Sequence, residues 1–429
     1  MQILVIGNGG REHALAWKVS QSPLVTSVFV APGNAGTALE PMIQNITIQP
    51  DNMTELLNFA MSKKIDLTIV GQEVPLINGI VDLFYNAGLK IFGPTQFASQ
   101  LEGSKAFTKE FLIRHGILTA EYQCFTEVKS AMKYIYEKGT PIVIKADGVA
   151  YGKGVVVAQT LQEAEIAIQN ILVDKVFGES GHQIIIEEFL DGEEVSFIVM
   201  TDGKNIIPMV TSQDYKRIGN GDIGPNTGGM GAYSPVTLVT EIIHQRIIDE
   251  VIYPTLRAMA FEGHPYTGFL YAGLMINNSR QIYVMEFNCR LGDPESQLIM
   301  LRLQSDLVDL CLAVLEGKLN YKNIIWDPRP AIGVVLASDG YPGDYINGHM
   351  IHGLPLQSTI IGKDCKVFHS GTTIQDGSIV TNGGRVICVT ALGEDFLTAK
   401  KRAYKLANMI HWDGKFFRTD IGDIAINRK

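Results

Sequence analysis

A carboxylate and an amide two positions apart, Glu286 and Asn288, close an apolar run that begins at Gln281. On a strand, residues i and i+2 point to the same face, so this pair presents two oxygen ligands side by side. Hard oxygen ligands suit Mg²⁺, or Mn²⁺ in its place, which commonly takes only one or two protein groups and completes its shell with substrate phosphates. Arg290 extends the row as a fork for a carboxylate or phosphate. Asp293-Pro294-Glu295 then reads as a helix start, with Asp293 as N-cap and Pro294 at the first helical position. Metal ligands, an anion clamp and a helix N-terminus in one short segment point to phosphate chemistry. Taken alone, the Glu-x-Asn pair also fits an edge strand with a polar face, ended by a helix cap.

Five further segments bear on that chemistry. Lys145-Ala146-Asp147-Gly148 leads to Gly152-Lys153-Gly154. It is not a Walker A loop, because three residues rather than four separate Gly148 from Gly152 and a glycine follows Lys153. Lys145 would end a strand and hold a phosphate oxygen, with the glycine-rich turn folding over phosphates as a mobile lid. Hairpin turns rarely need three glycines around a lysine. The N-terminal turn Gly7-Asn8-Gly9-Gly10-Arg11-Glu12 offers backbone N–H groups at a helix start, which suits a phosphate. Glu12 stands where a dinucleotide fingerprint needs glycine, so a full dinucleotide site and an NAD dehydrogenase are disfavoured. A second small-residue loop with Gly33 and Asn34 could face the same crevice. The acid-rich segment holding Glu187, Leu190 and Glu194 could read an adenine edge and take ribose hydroxyls, though by itself it also reads as a solvated acidic turn. Asp214 and Lys216 precede a glycine-rich stretch over 219–233, read as a long loop without regular structure.

These groups need elements to position them. The first hundred residues alternate strand and helix: strands over 3–6, 25–31, 67–71 and 90–92, helices over 13–19 and 77–86. Such alternation implies a doubly wound parallel sheet with ligand sites at the strand C-termini. A helix is expected over 104–115. An α+β unit follows, with strands over 141–145, 155–158 and 183–188 and a helix over 161–173. Long strands come next, and Asp327-Pro328-Arg329-Pro330 reads as a rigid linker. The remainder is β-rich with a helix over 396–410. The division expected is 1–102, 103–326 with a lid subdomain over 123–192, and 327–429.

The chain has 429 residues, 46% hydrophobic and 19% charged, which fits a multidomain globular enzyme. Its net charge of −9 provides no global field for nucleic acid. Five scattered cysteines without a C-x-x-C pair argue against zinc and disulfides and for a reducing cytosol. The N-terminus enters a strand with no basic segment before it, so it does not read as a signal peptide. No apolar run approaches the ~18 residues of a membrane span. A cytoplasmic protein with neither nucleic-acid nor membrane partners is expected.

In this order the segments resemble the ATP-grasp fold, and more closely the phosphoribosylamine–glycine ligase family. The resemblance covers essentially the whole chain. It rests on the turn at 6–14, on Lys145 to Gly148 with Gly152 to Gly154, on Gly224-Pro225-Asn226-Thr227-Gly228-Gly229-Met230-Gly231, and on the segment Glu286 to Glu295. It implies an α/β and α+β multidomain enzyme: an ATP-grasp core, an N-terminal doubly wound parallel-sheet domain and a β-rich C-terminal domain. It implies a ligase that joins glycine to 5-phosphoribosylamine through a glycyl phosphate, acting as a monomer or weak homo-oligomer. ATP would be held by Lys105, Lys145, Gly152, Lys153, Gly154, Glu187, Leu190 and Glu194, and the metal by Glu286 and Asn288. Asn8, Gly9, Gly10, Gly33, Asn34, Asp293 and Pro294 would seat the substrates, with Arg290, Asp214 and Lys216 orienting glycine and the amine. Many ATP-grasp enzymes carry another carboxylate on the preceding strand, but 269–275 has none. Tyr215 and Tyr151 stand where the family usually has His and a small residue. An ATP-grasp ligase with a different amine acceptor, or a non-catalytic nucleotide-binding regulator, remains as an alternative; the intact Lys145, Glu286, Asn288 and Arg290 weigh against the regulator.

Overall fold

Apolar runs too short for helices become the buried strands of a five-stranded, all-parallel sheet. Its order is Ile43–Asn45, Ser27–Pro32, Gln2–Gly7, Leu67–Val70, Ile91–Phe92. The order reverses on either side of Gln2–Gly7, so the glycine turn after it opens into the crevice where ligands of such sheets bind. The computed structural model describes residues 1–149, 154–355 and 363–428.

A second sheet is antiparallel, in the order Tyr122–Phe125, Ile184–Glu188, Ile142–Ala146, Val155–Ala158. Helices Val128–Lys138 and Leu161–Ile168 share an apolar core with it through Ala131, Ile135, Ala164 and Ile168. A third sheet runs Ile206–Pro208, Glu193–Thr201, Gly268–Ile276, Ile282–Asn288, all antiparallel. The cleft lies between the second and third sheets. A fourth sheet joins Gln213–Asp214 and Gly231–Ser234 to Ala331–Ser338, Arg385–Leu392 and Cys365–His369. The helix Glu295–Arg302 is buried along its whole length, packed between helix Gly10–Val19 and this fourth sheet. It therefore locks the N-terminal and C-terminal parts around the site.

The sequence expectations differ from the structure at particular joints. The helix expected over 77–86 is two, Glu73–Ile77 and Ile80–Asn86, because Gly79 takes a left-handed φ of 90° between them. The helix expected over 104–115 starts at Lys105, with the Ser104 hydroxyl accepting the Phe107 N–H at 3.1 Å. The helix expected over 161–173 gives way to a π-helical turn over Gln169–Val173. The stretch 219–233 is not a loop without structure. A hairpin of Arg217–Gly219 and Ile223–Asn226 is followed by the strand Gly231–Ser234.

Candidate active site

Glu286 and Asn288 lie on the strand itself, at the end of Ile282–Asn288, and both side chains line a cleft of about 1080 Å³. Pairing with Gly268–Ile276 shifts from Leu274↔Val284 to Gly273↔Glu286, so Met285 is the extra residue of a β-bulge. Bulges re-aim side chains next to active sites. Here the Met285 carbonyl accepts from Lys145 Nζ at 3.3 Å. The residue opposite Glu286 is Gly273, so the preceding strand offers no acid there.

Glu286 is an anion held by cations. Burial pushes its carboxyl up, but Lys216, Lys145, Lys105 and Arg290 together hold it below the usual carboxylate range. Lys216 Nζ is 2.8 Å from Glu194 and 3.9 Å from Glu286. Burial disfavours its charge, yet Glu194, Asp214 and Glu286 raise its pKa well above the ordinary lysine value. Asp214 is pushed well up by burial and by Glu295, Glu194 and Glu286, against the pull of Lys216. Lys105 caps the opposite side, donating to the Gly148 carbonyl at 2.6 Å, with its pKa lowered by burial.

Glu187 was expected at an adenine edge. In the structure its Oε2 lies 2.9 Å from Lys145 and 3.1 Å from Lys109. Sequence reasoning missed Lys109, although it follows Lys105 by four residues and so shares its helix face. Burial drops the Lys109 pKa to about 8. When that proton leaves, Lys145 alone must satisfy Glu187, which would leave it less free to hold a nucleotide phosphate. The ratio kcat/KM for ATP, which reports the free enzyme, should therefore fall several-fold as pH rises through about 8. Lys109→Met should give a lower value without that step. An identical step in the variant would assign the titration elsewhere.

Arg290 was read as a free anion clamp. Its guanidinium is instead already engaged: Nε to Glu73 at 3.2 Å, Nη2 to Glu102 at 2.9 Å and to Asn288 Oδ1 at 3.1 Å. Glu102 also accepts the Cys289 N–H at 2.7 Å. A guanidinium only donates, so it sets which side of the Asn288 amide is oxygen. Arg290 thereby orients the Asn288 amide. Asp293 does not cap its own helix, which begins at Glu295 with Pro294 at the cap position. Its carboxylate accepts the Arg11 N–H at 3.3 Å and Gln297 Nε2 at 2.8 Å, serving the first turn of a different helix. Burial raises Asp293, but Arg385 and Arg11 hold it below the usual range.

Glu12 accounts for the broken dinucleotide fingerprint. It accepts the Gly9 N–H at 2.7 Å and Arg11 Nε at 2.6 Å. A Cβ at Gly7 or Gly71 would lie 2.3 Å from its side chain, so glycines make the room it fills.

A smaller cavity of about 230 Å³ adjoins the cleft. Asn8, Gly9, Gly33, Asn34 and Asp293, named from the sequence for a substrate seat, line one side. Ser370, Gly371, Thr372, Asn382 and Arg385 from the C-terminal part of the chain line the other. Nothing in their spacing marked them. Arg385 donates to the carbonyls of Gly228 at 2.6 Å and Asp293 at 2.7 Å, tying the Thr-Gly-Gly-Met loop to the cleft. Leu190 lines the large cleft; Gly10 and Pro294 line neither cavity, and Gly10 sits tight between Gln297 and Ser370. Gly154 lines the cleft and its carbonyl accepts the Ala146 N–H at 2.8 Å. Gly152, Lys153 and Tyr151 lie outside the described residues. Tyr215 is buried, its hydroxyl accepting the Gly422 N–H at 2.9 Å, away from the cleft.

Family models for phosphoribosylglycinamide synthetase match the chain in three pieces: the N domain over 1–102, the ATP-grasp (A) domain over 103–296 and the C domain over 331–424. The chain belongs to the phosphoribosylglycinamide synthetase family. It is 63% identical to the phosphoribosylamine–glycine ligase of Escherichia coli K12 over the whole of both chains. It is 61% identical to that of Vibrio cholerae, over 100% of this chain and 99% of the relative. The crystal structure of the Thermotoga maritima phosphoribosylamine–glycine ligase superposes with a TM-score of 0.82 at 31% identity, covering 98% of this chain and 100% of that one. A biotin carboxylase domain from Hydrogenobacter thermophilus, solved with MgADP, superposes at 0.73 with 16% identity over 97% of this chain and 91% of that one, which shows a shared fold. Within the synthetase family fold, the ATP-grasp cleft is the larger cavity. No helix of the described residues is long and apolar enough to cross a membrane, and all five cysteines are free thiols.

Proposed function

We propose that the chain is an ATP-dependent ligase that joins glycine to 5-phosphoribosylamine, giving glycinamide ribonucleotide, ADP and phosphate. The observation that carries this reading is the meeting of two cavities at Asp293. A lysine-lined cleft with an oxygen-ligand pair suits a nucleoside triphosphate, and a smaller polar seat with Arg385 suits a sugar phosphate.

Glu286 and Asn288 offer two oxygens on one strand face, the donor set of a Mg²⁺ or Mn²⁺ ion that shares its shell with phosphates. When bound, that ion supplies charge neutralisation on the transferred phosphoryl group. Lys105 and Lys145 grip phosphate oxygens, with Leu190 beside the base and Glu194 near the ribose. The glycine carboxylate attacks the γ-phosphorus, forming an acyl C–O–P link as the bond to ADP breaks. The amine nitrogen then attacks the glycyl carbonyl, phosphate leaves, and the amine proton passes to Asp214. A buried carboxyl with a raised pKa is tuned for that transfer. Lys216, between Glu194 and Glu286, helps to orient glycine and the amine. The divisions 1–102, 103–326 and 327–429, a cytoplasmic site of action and a monomeric or weakly oligomeric state belong to the same proposal.

Phosphate release from ATP should require glycine and phosphoribosylamine together, the latter generated in situ from ribose 5-phosphate and ammonia. Release that ignores glycine, or that proceeds equally with other amines, would reject the assignment.

A further inference from the structure

The helix Gly10–Val19 carries a histidine that the chemistry above leaves without a task. His13 is 1% exposed. Its Nδ1 accepts the backbone N–H of His369 at 2.9 Å, and its Nε2 lies 3.1 Å from Glu40 Oε1. A ring nitrogen that accepts carries no proton, so the two contacts fix a neutral imidazole with its hydrogen on Nε2, donated to Glu40. Lys366 also pairs with Glu40. Burial alone would raise Glu40, but His13 and Lys366 hold it below the ordinary carboxylate value, an anion ready to accept.

The carbonyl side of His369 is held as well. Its carbonyl accepts from Asn34 Nδ2 at 2.9 Å. The fit is close: a Cβ at Gly36 would lie 2.4 Å from His13 Cε1 and 2.6 Å from His369 Cβ. So one residue of the C-terminal sheet, His369, is gripped at both its backbone N–H and its C=O by the N-terminal domain. The three residues that follow, Ser370-Gly371-Thr372, are a wall of the smaller cavity, whose facing wall is Asn8, Gly9, Gly33 and Asn34.

We propose that His13 is a positioning residue for the sugar-phosphate substrate, setting the separation of the two walls of the smaller cavity through its bond to the His369 peptide. The proposal rests on the assignment of that cavity to phosphoribosylamine. Loss of the acceptor leaves a buried N–H unpaired and frees the 370–372 wall to drift.

The test compares two substitutions. In His13→Gln the amide reaches Glu40 but leaves the His369 N–H without an acceptor. In His13→Asn the shorter amide supplies an acceptor near the place of Nδ1. His13→Gln should raise KM for phosphoribosylamine about tenfold, with kcat and the KM values for ATP and glycine nearly unchanged. His13→Asn should restore most of that loss. A KM equal to the parent in His13→Gln, or a parallel rise for all three substrates, overturns the proposal. Asn382→Ala lines the cavity outside the grip. If it raises KM for phosphoribosylamine while His13→Gln does not, the grip is wrong and the seat stands. If neither moves it, the seat assignment fails and the proposal with it. Should His13→Gln not fold, Glu40→Ala frees the tautomer and should shift the same KM in the same direction; no shift overturns the proposal. Long-range ¹⁵N spectra of histidine-labelled protein should show Nδ1 of His13 unprotonated at neutral pH, and a protonated Nδ1 overturns it too.

Discussion

Glu286→Gln should lower kcat by about a thousandfold, the scale of losing one main electrostatic contact to a developing charge, while the fold persists. The swap removes a charge at nearly constant volume. In the parent, burial works against the Glu286 anion, and Lys216, Lys145, Lys105 and Arg290 keep it ionised. A neutral amide at that position leaves the cation-rich cleft without its central anion. It also removes the only charged donor that the Glu286/Asn288 pair offers a divalent ion. Asn288 remains, but an amide oxygen is a weaker ligand than a carboxylate. The unfolding midpoint should stay close to the parent's, because Glu286 is half-buried and lines the cleft rather than the apolar core. A kcat within a few-fold of the parent would remove the metal role from this residue. A collapse of thermal stability would instead make it structural.

How far such residues were legible in the sequence depends on whether their role is local. Glu286 and Asn288 could be found because strand periodicity places i and i+2 on one face, and the strand continued through them. The bulge at Met285 could not be found, since it depends on the partner strand's register. The N-terminal parallel sheet followed from alternating apolar runs and glycine turns, which are local signals. The joints inside helices were misplaced where Gly79 or Ser104 changed the chain direction, although both residue types announce such breaks. Arg290 shows the other limit. Its place beside Asn288 was readable, but its partners Glu73 and Glu102 come from about two hundred residues earlier, and only the fold brings them together. Arg385 and the 370–372 wall were invisible for the same reason. Asp293 was misread because its capping partner is Arg11, 282 residues away.

Those distant partners make Arg290 the residue whose loss should most damage stability. Its guanidinium sits between the Glu73 and Glu102 carboxylates, each with a side chain only 9% exposed, and it is itself 18% exposed. Arg290→Met preserves much of the stem and removes the charge. Two buried acids then face each other without their cation, a change expected to cost about 3–5 kcal/mol. The pH dependence carries the signature. In the parent, burial raises Glu73, but Arg290 and Arg11 hold it below the ordinary value of 4.5. Its stabilising contribution is therefore complete above that value and is lost as pH falls below it. Glu102, by contrast, is raised by burial despite Arg290. Without Arg290 both acids should bind protons in the folded state more tightly than in the unfolded chain, so folding of the variant gains as pH falls from neutrality toward 5. Urea midpoints at several pH values should show parent and variant far apart at pH 7 and closer at pH 5. A gap that stays constant across that window would mean the two carboxylates do not depend on Arg290. The Asn288 amide would then need another group to fix its oxygen toward the cleft, and the guanidinium would be free to serve as the anion clamp its sequence position first indicated.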